Sequence, residues 1–161
     1  MTAITPEQGG ASEPQPIISA LAPFYAFARD ISYPLIRATV GGTLLVHGIV
    51  KIMGPPISVF AQQSMAKRGI EPALLIAWLI FINETIGAVC IILGLFTRLF
   101  AASIAIEMAV ITFFVLYPHG YGFTQPGGGF EYTLLWGLIF VAIALRGGGP
   151  YSLDRLIGRE L

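Results

Sequence analysis

Residues Tyr33–Ile52 read YPLIRATVGGTLLVHGIVKI, and this stretch decides the fold. It is about as long as the ~20 apolar residues that carry a helix across hydrocarbon. It nevertheless holds Arg37, His47 and Lys51. An ionised side chain at mid-membrane costs ~2.5–3.5 kcal/mol on insertion scales, so such groups turn inward, pair, or line a wet cavity. A helix of this kind has a lipid side and a partner side. In this one Arg37, Gly41, Leu44, Gly48 and Lys51 share one stripe, with His47 beside it. Small residues let membrane helices approach closely, so this stripe is the face expected to meet another helix.

Three further stretches complete the pattern: Ala73–Phe96, Leu99–Tyr117 and Phe130–Arg146. They carry Glu84, Glu107 and, at an edge, Glu131. Breakers separate them. Gly54-Pro55-Pro56 ends the first span, Pro72 precedes the second, and Thr97-Arg98 makes a tight turn. A glycine-rich loop runs from Pro118 to Gly129, and Gly147-Gly148-Gly149-Pro150 stops the fourth span. The expected fold is all-α: an integral membrane four-helix bundle with short interfacial helices. Residues 1–22 read as a disordered or extended N-terminal tail and residues 23–161 as the four-span domain. Ile57–Arg68 is expected to form a short amphipathic helix, and residues 152–161 a C-terminal interfacial helix capped by Ser152.

Composition agrees. Of 161 residues, 55% are hydrophobic and 11% charged, with mean hydropathy +0.78. Soluble domains carry about a quarter charged residues. A net charge of zero leaves no basic footprint for nucleic acid. The single Cys90 cannot form an internal disulfide or a CxxC redox pair. His47 and His119 lie on different segments, so no metal site is expected. No basic start of a secretory signal precedes Arg29, and the first span is expected to serve as the insertion signal. With four spans both termini share a side. That side takes Arg29, Arg98, Arg146, Arg155 and Arg159, against Lys51, Lys67 and Arg68 on the other. This bias favours cytoplasmic termini in a bacterial-type inner membrane.

A rise of ~1.5 Å per residue sets the depth of each charge. From the terminal side, Arg37 lies ~6 Å in, Glu107 ~12–14 Å and Glu84 ~18 Å, with His47 close to the depth of Glu84. Lys51 and Glu131 sit near the far boundary. Three partnerships follow: Arg37 with Glu107, His47 with Glu84, and Lys51 with Glu131. Arg37, His47, Glu84 and Glu107 thus form a candidate polar centre for a ligand or a proton, and Lys51 with Glu131 a boundary pair. Each admits a structural reading. Arg37 and Glu107 could be a packing ion pair, and Glu84 a carboxyl bonded to a backbone carbonyl. His47 could be a packed polar residue, Lys51 a snorkelling one, and Asn83 a cross-helix hydrogen bonder. Cys90 reads as inert packing.

Several of these residues resemble the DoxX family of small four-span membrane proteins. The resemblance rests on His47-Gly48 with Lys51, Asn83-Glu84 with Gly87, and Leu93-Gly94-Leu95-Phe96-Thr97-Arg98. It continues in Phe130-Glu131 and in Gly147-Gly148-Gly149-Pro150-Tyr151-Ser152-Leu153-Asp154. It implies a four-helix membrane bundle. The family includes subunits of a thiosulfate:quinone oxidoreductase and membrane partners of redox-defence enzymes, which implies electron-transport surroundings. The preferred reading is an accessory subunit, not catalytic on its own, that anchors or shapes a larger redox or energy-converting complex. The alternatives are a quinone-binding oxidoreductase subunit and a small-solute or proton carrier. No cofactor of its own is expected beyond a quinone. The expected partners are the lipid bilayer and other membrane subunits or a second copy, and not nucleic acid.

Overall fold

The protein was analysed as a computed structural model that describes residues 14–160. The expected N-terminal tail lies outside the described residues as far as residue 13. Among the described residues the chain is helical throughout, with no strand. Four long helices make the bundle: α1 (Ala22–Met53), α3 (Ala73–Leu93), α4 (Thr97–His119) and α5 (Glu131–Arg146). Two short helical segments join them, α2 over residues 57–68 and α6 (Leu153–Ile157).

Among the described residues three helices are long and apolar enough to cross a membrane: Ser19–Met53, Ala73–Leu93 and Thr97–His119. The fourth, α5, has 16 residues. At 1.5 Å per residue it spans ~24 Å, a little less than the hydrocarbon core. It lies against α4 along its length, where Phe140 and Ile143 meet Ala101, Ile104 and Met108 in one buried cluster. The Thr112 and Thr133 hydroxyls bond each other at 2.8 Å across this contact.

Helix α1 begins well before the expected span. Its first three turns stand clear of the bundle, with Phe24 and Phe27 60% and 62% exposed. Helix packing runs in series: α1 on α3, α3 on α4, α4 on α5. The glycine stripe makes the first contact very close. A Cβ on Gly48 would fall on the Glu84 backbone carbonyl, and one on Gly41 would stand 2.9 Å from the Ala88 oxygen. Gly42, on the other side of α1, has nothing within 4 Å. Helix α2 lies across the loop end of α3, burying Ala61 and Met65 against Ala73, Ala77 and Ile80.

The C-terminal segment closes the terminal end of the bundle. Asp154 is 1% exposed, and its carboxylate accepts from the Phe96 and Thr97 N–H groups at 2.7 and 2.9 Å. Those groups open α4, and the residue before it, Phe96, supplies no cap of its own. A carboxylate at a helix N-terminus satisfies orphan donors and favours the helix dipole. Ser152 caps α6 by accepting from the Arg155 N–H at 3.2 Å. Glycine is required at Gly94, whose φ is +66° and where a Cβ would collide with the Arg37 guanidinium.

A cysteine at Gln125 and one at Arg159, in a Cys90→Ser background, are expected to label from opposite sides of the membrane. Labelling of both from one side would exclude the single crossing that α5 makes between the third loop and the terminus.

Candidate functional site

Helix α3 is distorted where its polar residues fall. Residues Asn83–Gly87 form a wide π-helical turn inside an otherwise α-helical span. Such turns occur often at functional positions. Asn83, Glu84 and Thr85 are all buried in succession. Neighbouring positions on a helix point about 100° apart, so Asn83 and Glu84 face different partners. Asn83 faces α4. Its Nδ2 donates to Glu107 Oε2 at 2.9 Å, and its Oδ1 accepts from Ser103 Oγ at 2.9 Å. Glu84 faces α1, where Lys51 Nζ donates to its Oε2 in an ion pair. The Lys51 side chain is 19% exposed and lies over the Phe60 ring at 5.3 Å.

The two halves meet at Glu107, which is 6% exposed. The Glu84 carboxyl stands within hydrogen-bonding reach of it, and Lys51 acts on it through charge. Among the described residues no amide, ammonium or hydroxyl group donates to Glu107 Oε1. A chain of polar groups therefore runs Ser103, Asn83, Glu107, Glu84, Lys51.

Glu107, Asn83 and Ser103 form the polar end of a pocket of about 550 Å³ between α3 and α4. Its walls are apolar, with Ile76 and Ile80 on one side, Val110 and Phe114 on the other, and Met65 closing from α2. Leu79, Ile106 and Phe114 at its rim are 49%, 66% and 74% exposed, so the pocket opens sideways on the bundle's outer face. Glu71 lines the end nearest the loop. The volume lies within the ~300–1,000 Å³ of small-molecule sites, and so does the mix of apolar wall and few convergent polar groups.

The structure brings together Glu84 and Glu107 of the expected centre and separates the rest. Arg37 does not meet Glu107. It is 1% exposed, and its Nη2 donates to the Tyr151 oxygen at 2.9 Å and the Pro150 oxygen at 3.4 Å. It belongs to the C-terminal closure, beside Asp154. Tyr33 is part of that closure too, donating to the Gly147 oxygen at 2.5 Å beneath the Arg146 guanidinium, which lies 4.2 Å from its ring centroid. His47 is exposed on α1 and is not paired with Glu84. The Lys51–Glu131 boundary pair does not form. Lys51 takes Glu84, while Glu131 accepts from the Phe123 N–H at 3.4 Å within its own loop. Equal depth was a sound guide to height but not to adjacency. Because α3 packs against both α1 and α4, its own carboxyl meets the lysine of α1 first.

Lys51, Asn83 and Ser103 join the site from outside the expected centre. Two signals were present in the sequence: Asn83 adjoins Glu84, and Ser103 shares the Glu107 stripe. The role of Asp154 needed the folded chain, since its partners are 58 and 57 residues away.

Comparison with known proteins bears on the same residues. No solved structure matches the chain. An uncharacterized protein of Haemophilus influenzae is 35% identical over 128 residues, spanning 78% of this chain and 90% of the relative. The DoxX family model matches residues 33–116, the stretch that holds α1 from Tyr33, α3 and most of α4, and with them Lys51, Asn83, Glu84, Ser103 and Glu107. By that match, which covers the whole polar chain and more than half the sequence, the protein belongs to the DoxX family.

Proposed function

We propose that this protein is a membrane subunit of a larger redox complex and that its pocket binds a quinone-class molecule. The observation that carries the reading is the apolar pocket ending on Glu107, whose Oε1 receives no protein donor. A buried acceptor without a donor is costly, by ~1–3 kcal/mol. A quinol hydroxyl supplies that donor, while an isoprenoid tail suits the apolar walls and leaves by the lateral opening into lipid. Only part of the pocket is polar, which suits an amphipathic ligand better than a hydrophilic solute.

The subunit reading draws on α1. Its exposed N-terminal turns, with Phe24 and Phe27, extend past the bundle and suit contact with another protein. The arginine excess beside the termini supports cytoplasmic termini and a bacterial-type inner membrane.

Titration of a short-chain benzoquinol into protein reconstituted in lipid nanodiscs tests the site. Wild type is expected to bind. Ile80→Trp, which fills the pocket, and Glu107→Leu, which removes the acceptor, are each expected to weaken binding tenfold or more. For Glu107→Leu this is in line with the ~1–3 kcal/mol cost of leaving the ligand's hydroxyl without a partner. Equal binding by all three proteins would exclude the pocket.

A further inference from the structure

We infer that Glu107, Glu84 and Lys51 form a proton path linking the pocket to the aqueous face beside the loop that follows α1. The ligand end of this path rests on the quinone-class reading; the path itself is a property of the bare protein.

Charge accounting comes first. The cluster holds two carboxyls and one ammonium, and the charged groups acting on Glu107 are Glu84 from α3 and Lys51 from α1. Asn83 and Ser103 add hydrogen bonds but no charge. The Lys51–Glu84 ion pair is neutral. A second ionised carboxylate beside it, deep in the bundle, would leave the cluster with a net buried charge. One proton shared by the two facing carboxyls removes that charge, as in other closely paired carboxyl dyads.

Hydrogen-bond geometry then places the proton. Glu107 Oε2 already accepts from Asn83, and Glu84 Oε2 already accepts from Lys51. The oxygens left over are the ones that can carry a proton, and Glu107 Oε1 is the atom with no protein donor. Asn83 thus acts as a positioning residue. With its amide held by Ser103, it fixes the Glu107 carboxyl and directs the free oxygen.

The third step is the outlet. Lys51 is in the last turn of α1, just before the exposed Gly54-Pro55-Pro56. Its side chain is 19% exposed, whereas that of Glu84 is 7% exposed. The series thus grades from buried carboxyl to partly hydrated ammonium. For outward transfer Lys51 first releases a proton to water and becomes a neutral amine. The Glu107 proton then passes to Glu84, and Glu84 passes one on to Lys51, restoring the ammonium. The two internal transfers leave the cluster's charge unchanged, and the unit of positive charge lost to water is restored when a proton from the ligand reaches Glu107. The loop side of the membrane is then the side on which protons enter or leave when a ligand hydroxyl binds at Glu107.

Infrared spectroscopy on ligand-free protein in nanodiscs, moved from H2O to D2O, tests the path. Wild type is expected to show a protonated-carboxyl C=O band that is absent from Glu84→Gln/Glu107→Gln. The band is expected to shift on deuteration at least tenfold faster than in Lys51→Met. Lys51→Gln keeps a hydrogen-bond donor toward Glu84 but no exchangeable charge, and it is expected to slow the shift in the same way should Lys51→Met fail to fold. Exchange at the wild-type rate in the folded lysine variant, or a band unaffected by the double substitution, overturns the path. Titration of the same samples with the benzoquinol separates the two claims. Lost binding with the exchange pattern intact discards the ligand and keeps the path, while intact binding with unslowed exchange discards the path alone.

Discussion

Removing either side of the C-terminal closure is expected to destabilise the bundle by ~1–3 kcal/mol, the usual cost of leaving buried polar groups without their partners. Asp154→Ala leaves the Phe96 and Thr97 N–H groups without an acceptor at the start of α4, and it leaves Arg37 buried without its neighbouring carboxylate. Arg37→Leu removes the donor to the Tyr151 and Pro150 carbonyls, which hold the C-terminal segment against α1. Denaturant titration in detergent, followed by helix content, checks both. The paired substitution should cost less than the sum of the two, because residues in one network are not independent. Single variants within ~0.5 kcal/mol of wild type, the range of inconsequential surface changes, would show that the closure contributes little.

Gly48→Leu is expected to cost at least ~3 kcal/mol, at or beyond the upper end of ordinary overpacking. The reason lies in what the new side chain meets. At Gly48 it meets the Glu84 backbone carbonyl, which cannot swing aside as a flexible side chain can. Helix α1 must move off α3, and the Lys51–Glu84 ion pair goes with it. Gly42→Ala provides the contrast. With nothing within 4 Å, it should be neutral or, through better helix propensity, stabilising by up to ~1 kcal/mol. The same unfolding measurement compares them. Equal stability of the two variants would mean that the α1–α3 contact is looser than the structure places it.

Legibility varied along the chain. The positions of the long helices were readable because hydrocarbon imposes one length and one composition on whatever crosses it. Gly54-Pro55-Pro56 and Gly147–Pro150 were readable as stops because few residues tolerate those backbone states or lack the N–H. Helix α1 starts before the expected span, since nothing from Phe24 to Ser32 breaks it, while Arg29 and Asp30 interrupt the apolar run there. Pro34 sits inside α1 rather than at its end.

The inventory of the candidate site was likewise present in the sequence: Glu84 and Glu107 were singled out because a carboxyl in hydrocarbon must have a reason. Who meets whom was decided by tertiary structure alone. Depth along a helix follows from counting residues, but rotation and neighbour order do not. The ~100° step between neighbouring helix positions turns Asn83 to α4 and Glu84 to α1, and counting residues does not tell which helix stands on which side. Serial packing then gives Lys51 to Glu84 and leaves Glu131 to its own loop. Arg37 was placed in the polar centre on its distance from the terminal boundary. The returning segment Pro150–Asp154 claims it instead, because the Pro150 and Tyr151 carbonyls, brought from more than a hundred residues away, reach the guanidinium before any helix carboxyl can. Composition and periodicity therefore determined that this is a membrane bundle with buried charge. Only the folded chain decided which of those charges hold the bundle shut and which open onto a pocket, because pairing depends on which helix faces stand next to each other, a long-range property that local sequence does not encode.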